Sequence, residues 1–243
     1  MDLHLAANLA LATAITLALI GIPLIFICAI RFWSSLPQNR PRRITSSATT
    51  NGPLTCTTTI FLGSGGHTAE MLQLVSGLDC VHYTPRHYVV GWDDNSSVEK
   101  VHRLETLLAA KNSSGSELTY TVHRIPRSRH VHQSMLTTPF TLAKSLLVAM
   151  PLIKRLTCRS RRSVLLMNGP GTCLALALAV IGARMIGVPD DQTPDLVFVE
   201  SFARVKTLSL AGRLLYPLCD AFLVQWPGLV QRYPRSKYIG ILV

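Results

Sequence analysis

Residues 57–75 read TTTIFLGSGGHTAEMLQLV, and the order of residue types along this stretch decides the fold. Residues 57–62 are β-branched and apolar without alternation, the pattern of a strand covered on both faces in a parallel sheet. Gly63, Ser64, Gly65 and Gly66 form a turn, after which helical spacing takes over, with Ala69, Leu72 and Ser76 on one side and Met71 and Val75 beside them. A glycine-rich turn at a helix N-terminus leaves backbone N–H groups unpaired and aims the positive end of the helix dipole at whatever binds there. Its natural ligand is a phosphate. The plain alternative is a tight turn that only packs, since glycine marks turns of every kind. Thr68 stands where G-x-G-x-x-G needs its third glycine, and no Gly-Lys-Ser/Thr follows, so neither the dinucleotide fingerprint nor the Walker A loop is matched.

Downstream, short apolar runs alternate with helical patterns to the end of the chain. Strands are expected at 87–92, 117–125, 163–167, 195–200, 221–225 and 238–243. Helices are expected at 96–110, 137–156 and 173–186, with one more running from Ser201-Phe202-Ala203-Arg204 to Leu215. The helix at 96–110 takes Asn95 or Ser96 as its cap and Val101, Leu104, Leu107 and Leu108 as its apolar stripe. This alternation predicts an α/β fold, a single Rossmann-like parallel sheet domain.

The 243 residues are 48% hydrophobic and only 15% charged, an imbalance that points to a membrane segment. Residues 9–30 supply it, carrying no charge over about the twenty residues that a spanning helix needs. Pro23 bends such a helix without breaking it. A secretory signal peptide is the alternative, but the basic n-region is missing. Arg31, Arg40, Arg42 and Arg43 follow the segment and no Lys or Arg precedes it, which by the positive-inside rule puts the rest of the chain in the cytoplasm. The expected organisation is therefore an anchor at 1–30, a flexible juxtamembrane linker at 31–53 and a cytosolic domain at 54–243. Cys28, Cys56, Cys80, Cys158, Cys173 and Cys219 show no CxxC pairing and read as buried reduced thiols. Asn95 and Asn112 begin N-x-S patterns that a cytosolic domain keeps from the glycosylation machinery.

The net charge of +11 raises nucleic acid as a partner. The basic residues lie near apolar stretches rather than among exposed aromatics, which favours an anionic membrane surface and excludes nucleic acid. Residues 137–156 carry Phe140, Ala143, Leu147 and Met150 at helical spacing, flanked by arginines at 124, 127, 129, 159, 161 and 162. A core helix with solvated ends and a helix lying in the membrane interface both fit this pattern.

In a parallel sheet, ligands collect at the carboxyl ends of the strands, where GSGGHTAE, GWDDN, NGPGT, ESFAR and QWPG all fall. The two glycine turns suit phosphates, Arg204 adds positive charge, and His67, Glu70, Asp93 and Glu200 offer acid–base groups. His67 at the helix start is either a general base or a structural histidine. Asn168, Gly169, Pro170, Gly171 and Thr172 are either a strand-to-helix turn with proline in the first helical turn or a second nest of N–H groups. Glu200 ends an apolar strand, a poor place for an unpaired carboxylate, and Arg204 is the candidate to neutralise it. His123, His130 and His132 sit among arginines with no acidic or cysteine partner nearby, so no metal is expected.

The strand with GSGGHTAEM, then NGPGT, then VES with Arg204 and TLS, then VQWP, and a last strand ending YIGILV together resemble one family. It is the membrane-anchoring subunit of the two-subunit N-acetylglucosaminyltransferase that adds the second GlcNAc to dolichol-linked GlcNAc. The likeness spans nearly all of the chain after the linker, with the motifs in order. It implies one half of a GT-B fold, the acceptor half, and an enzyme subunit not active alone. By this resemblance the turn from Gly63 to Glu70 contacts the diphosphate and sugar of dolichol-diphosphate-GlcNAc, with Ser64, Gly65, Gly66 and Thr68 in it. Asn168 to Thr172 forms the companion loop, Glu200 and Arg204 join the substrate site, and His67, with Glu70 as second candidate, takes the acceptor proton.

The resemblance further implies that a soluble glycosyltransferase subunit binds UDP-GlcNAc at the shared interface. Tyr238, Ile239, Gly240, Ile241, Leu242 and Val243 dock into that partner, and no cofactor is needed. The location it implies is the endoplasmic reticulum membrane, single-pass, with the domain on the cytosolic face, and by continuity the nuclear membrane. No second Rossmann-like domain follows Trp226, in keeping with a chain that does not transfer sugar by itself. Two rivals remain open: a membrane-tethered nucleotide-dependent oxidoreductase using Asp93 or Asp94 on a ribose, and a non-catalytic scaffold.

Overall fold

A computed structural model describes residues 2–40, 55–111, 119–129, 133–134, 136–157 and 162–242, with the side chains of the first helix from Leu19 onward. Seven strands form one all-parallel sheet: β1 (Thr57–Phe61), β2 (Arg86–Gly91), β3 (Tyr120–Ile125), β4 (Ser163–Met167), β5 (Asp195–Val199), β6 (Ala221–Val224) and β7 (Ser236–Tyr238). Their order across the sheet is β3-β2-β1-β4-β5-β6-β7. β1 sits near the middle, pairing Thr59 with His87 on one side and with Leu165 on the other, and all five of its residues are buried. β3 lies at an edge, and Ile125 is its one buried residue.

The helices α1 (Asp2–Ser35), α2 (Gly66–Ser76), α3 (Asn95–Lys111), α4 (Thr138–Thr157), α5 (Thr172–Met185), α6 (Leu210–Leu215) and α7 (Pro227–Arg232) complete the chain. Successive strand side chains point to opposite faces, and two cores result. Ile60, Leu62, Tyr88 and Val90 meet Met71 and Val75 of α2 and Val101 of α3. On the other face Phe61, Val89, Met167 and Phe198 meet Ala149 and Ile153 of α4 together with the buried residues of α5. The expected α/β parallel sheet is therefore present, and α2 and α5 each start directly behind a glycine turn.

Several local expectations are corrected. The inward face of α2 is Thr68, Met71 and Val75, while Ala69 and Ser76 are exposed. Asp94, rather than Asn95 or Ser96, caps α3, its carboxylate accepting from the Ser97 N–H at 3.0 Å, and Leu107 of the expected stripe is 60% exposed. The helix after Ser201 begins only at Leu210, because the Ser209 hydroxyl caps it by accepting from Gly212 N–H at 2.9 Å. The Trp226-Pro227-Gly228 turn opens α7, with proline in its first turn. The last strand is Ser236–Tyr238, not 238–243; Ile239 and Ile241 beyond it are exposed, and Val243 lies outside the described residues.

The segment 31–53 is not a free linker throughout. α1 continues to Ser35, a 3-10 turn covers Pro37–Asn39, and Arg40 is fastened to the domain. Its guanidinium lies 3.0 Å from Asp190 and 2.8 Å from Asp220, and Asp220 also pairs with Arg184 at 3.0 Å. Residues 41–53, like Asn112, Cys158, His130, His132, Arg159 and Arg161, lie outside the described residues. Of the described cysteines, only Cys173 and Cys219 are buried, and burial pushes both thiols up. Cys56 and Cys80 are half-buried and Cys28 is exposed. Among the described residues no helix is long and apolar enough to cross a membrane; the part of α1 from Leu19 onward holds only the second half of the segment 9–30.

α3 is tied to the sheet by polar as well as apolar contacts. Arg86 and Glu105, both almost fully buried, pair through Nε to Oε1 at 2.7 Å and Nη2 to Oε2 at 2.6 Å. The remaining Arg86 Nη1 donates to the carbonyls of Cys80 and Tyr83, and the Tyr88 hydroxyl donates to Glu105. Burial and this bond to Glu105 push the Tyr88 phenol far up. Replacing Glu105 by Ala leaves a buried guanidinium unpaired, so we expect a loss of about 3–5 kcal/mol in stability. Denaturant titration of the variant against Arg86→Met/Glu105→Leu checks this, because the apolar double variant should recover most of that loss.

Candidate functional site

The crossovers leave β1 and β4 in opposite directions, toward β2 and toward β5, so the switch point of the sheet falls between these two neighbouring strands. Loops after such a pair diverge and open a crevice at the carboxyl edge. A cavity of about 960 Å³ lies there. Its walls include the turn after β1, the turn after β4, the basic turn after β3 and the loop after β5.

The two glycine turns are joined by side chains. The Asn168 amide Nδ2 donates to Glu70 Oε2 at 2.8 Å, and its Oδ1 stands 2.8 Å from His67 Nδ1. Ser201 Oγ donates to the other Glu70 oxygen at 2.8 Å. A carboxylate only accepts, so Glu70 fixes which end of the Asn168 amide carries the NH₂. The oxygen that remains can only accept, so His67 must hold its proton on Nδ1. The neutral ring then presents an unprotonated Nε2, which has no hydrogen-bond partner among the described residues. This is the tautomer a general base requires.

Close approach of the two turns depends on Gly169. Its φ is +96°, and a Cβ there would stand 2.5 Å from Cγ of the His67 ring. Any side chain at 169 would displace the imidazole.

Of the residues expected from sequence, Gly63, Ser64, Gly66, His67, Glu70 and Arg204 line the cavity, as do Gly169, Pro170, Gly171 and Thr172. Gly65, Thr68, Asn168 and Glu200 do not. Thr68 is fully buried, its hydroxyl donating to the Gly63 carbonyl and pairing with Ser97 Oγ at 2.9 Å, so it braces the turn from behind. Asn168 is 1% exposed and acts through His67 and Glu70. Glu200 is also 1% exposed; Arg204 does not neutralise it, since among the described residues its oxygens accept from Ser201 N–H, Ser209 N–H and Ser209 Oγ at 2.9–3.1 Å. The turn QWPG stays outside the cavity and supports the β5 loop, Gln225 Nε2 donating to the Glu200 carbonyl and Trp226 Nε1 to the Phe202 carbonyl. Asp93 is exposed, and Asp94 is spent on capping α3 and pairing with Arg127.

Sequence reading missed Arg127, Ser128, Arg129 and Ser201 as cavity residues. The signal for the first three was present, since Pro126-Arg127-Ser128-Arg129 follows a strand at the carboxyl edge. Much of the remaining lining is apolar, with Pro139 and Leu142 of α4, Leu174 of α5, and Leu210 and Leu214 of α6. The cavity can therefore hold a ligand charged at one end and apolar at the other. Glu200→Ala removes the acceptor of three donors, two of them partly buried, and we expect it to cost about 1–3 kcal/mol in a denaturant titration.

Residues 58–242 match the family model described as "Oligosaccharide biosynthesis protein Alg14 like". The chain is 44% identical over 184 residues to the UDP-N-acetylglucosamine transferase subunit ALG14 of Rattus norvegicus, an alignment covering 76% of this chain and 82% of that one. It is 45% identical over 183 residues to the subunit of the same name in Schizosaccharomyces pombe, covering 75% and 81%. The Homo sapiens subunit is 41% identical over 184 residues, covering 76% and 82%. Among solved structures, Acinetobacter baumannii MurG aligns at 16% identity with a TM-score of 0.45, over 76% of this chain and 44% of that one. The matched region runs from β1 past β7 and takes in the whole cavity: the chain belongs to the Alg14-like family of oligosaccharide biosynthesis proteins.

Proposed function

We propose that this chain is the acceptor-binding, membrane-anchoring subunit of a UDP-GlcNAc transferase. It holds dolichol-diphosphate-GlcNAc while a soluble partner subunit presents UDP-GlcNAc, and a second GlcNAc is added in β1,4 linkage. The observation that carries the reading is the His67 ring, held in its general-base tautomer by Asn168 and Glu70 inside a cavity lined by two glycine turns. His67 Nε2 takes the proton of the acceptor hydroxyl as that oxygen attacks the anomeric carbon of the donor. The bond from that carbon to the diphosphate breaks, UDP leaves with the electron pair, and the configuration inverts. The fold of this chain then corresponds to the acceptor half of a GT-B enzyme.

Several features support placement on the cytosolic face of the endoplasmic reticulum membrane, with the contiguous nuclear membrane included. Leu24, Ile25, Phe26 and Ile27 are each more than half exposed. Four successive helical positions span the full circumference, so apolar surface is left bare all round α1, as lipid would require. On α4, Phe140, Ala143, Leu147 and Met150 all face outward while Ser145, Ala149 and Ile153 face the core. That outward stripe suits an interfacial helix better than a core helix. The exposed Tyr238, Ile239 and Ile241 at the end of the chain provide an apolar edge for the partner subunit. The oxidoreductase alternative is less well supported, because one oxygen of Asp94 is committed to the α3 cap and Asp93 lies outside the main cavity.

Transfer to dolichol-diphosphate-GlcNAc by the reconstituted two-chain complex tests the reading. His67→Ala should lower kcat by about 10²- to 10⁴-fold, the usual worth of a positioned base. Asn168→Ala, which frees the ring, should lower it by about 10- to 100-fold. Unchanged kcat in His67→Ala would leave the chain a scaffold. Orientation has its own measurement: neither Asn95 nor Asn112 should carry a glycan in cells, and a glycan on either overturns the cytosolic placement.

A further inference from the structure

We propose that Arg127, with Arg129 beside it, is the diphosphate clamp of this cavity, and that the diphosphate it takes belongs to the lipid-linked acceptor rather than to the nucleotide sugar. This rests on the acceptor-binding reading and names the residues that recognise the charged part of that substrate.

Arg127 leaves the carboxyl end of β3 and reaches the turn after β1 by crossing Gly91, where a Cβ would stand 2.8 Å from Nε of the guanidinium. It ends between two partners, Ser64 Oγ at 3.4 Å from Nη1 and Asp94 Oδ2 at 3.6 Å from Nη2. Both contacts are longer than a good N–H···O bond of about 2.9 Å. Asp94 has its other oxygen committed to the α3 cap. The guanidinium is thus aimed at the glycine turn yet loosely held, with most of its five N–H donors available to an anion.

The base of the clamp is rigid. Ser128 N–H donates to Thr172 Oγ1 at 3.1 Å, Thr141 Oγ1 donates to the Ser128 carbonyl at 2.6 Å, and Ser145 Oγ donates to the Pro126 carbonyl at 2.9 Å. These bonds fix the turn to the starts of α4 and α5, so Arg127 and Arg129 enter the cavity from a set direction. The charged residues lining it are Arg127, Arg129 and Arg204 against Glu70 and Asp94, which leaves positive charge for a diphosphate. Arginine binds phosphate oxygens in pairs.

The choice between the two diphosphates follows from what lies next to the clamp. α4 begins just after the basic turn, and its Pro139 and Leu142 line the cavity, while Leu136 and Phe140 beside them are 85% and 78% exposed. Apolar side chains therefore extend from the cavity lining to the protein surface around the start of α4. That suits a diphosphate attached to a hydrocarbon chain better than one attached to a ribose and base.

The test is steady-state kinetics of the reconstituted two-chain complex with polyprenyl diphosphate-GlcNAc and UDP-GlcNAc varied in turn. Arg127→Gln, which keeps most of the stem, should raise the KM for the polyprenyl acceptor by about 10- to 100-fold and leave the KM for UDP-GlcNAc unchanged. Arg127→Lys should recover part of the loss, and Arg129→Ala should shift the same KM by a smaller factor. An acceptor KM equal to wild type in Arg127→Gln overturns the clamp, and so does a rise confined to UDP-GlcNAc. A wild-type complex unable to use the polyprenyl acceptor would instead defeat the functional reading on which the clamp rests.

Discussion

Everything at the candidate site depends on β1 and β4 being hydrogen-bonded neighbours. Parallel pairing of Thr57 with Ser163 through Ile60 with Leu166 brings two strand ends to the same height, more than a hundred residues apart in sequence. Each strand is followed by a glycine turn, and the turns approach until Asn168 can reach both His67 and Glu70. The contact is tolerable only because position 169 lacks a side chain. The pairing is therefore what converts a histidine at a helix start, ordinary by itself, into a ring of defined tautomer and orientation.

Buried polar groups do the complementary work of holding loops at fixed places. Arg86 and Glu105 lock α3 against β2, and Glu200 gathers three donors from the loop that becomes α6. Each carboxylate is fully occupied, which is the condition under which burying a charge is sustainable. At the cavity the pattern changes. Arg127 is only loosely engaged and His67 Nε2 has no partner among the described residues, so the functional groups stand out as those the fold leaves incompletely bonded.

The sheet was legible in the sequence because a strand buried on both faces must be apolar and a parallel crossover must carry a helix. Residues 57–62 and 163–167 displayed both constraints without tertiary information. Helix faces were less legible: Ala69, Leu107 and Phe140 have the apolarity of core residues yet stand exposed, because which side of a helix meets the sheet depends on packing that spacing alone does not encode. At the site, the glycine turns and His67 could be found from residue type and position. The separate duties of Thr68, Asn168 and Glu200 could not, since whether a polar side chain faces a cavity or braces its wall depends on direction rather than on sequence neighbours. Arg127 could be placed at the carboxyl edge from its position after a strand, but not its direction, because its partners Ser64 and Asp94 come from the turns after two other strands.

Asp220 opens β6 at the amino-terminal edge of the sheet, so the pairs that hold Arg40 lie at the end of the domain opposite the cavity. With Arg184 closing the network, α1 is joined to the domain by a bracket rather than a hinge. Any tilt of the first helix is then carried through the body of the sheet to the cavity mouth as a rotation of one solid piece. The heading of that mouth relative to the first helix is thereby tied to three ion pairs far from it.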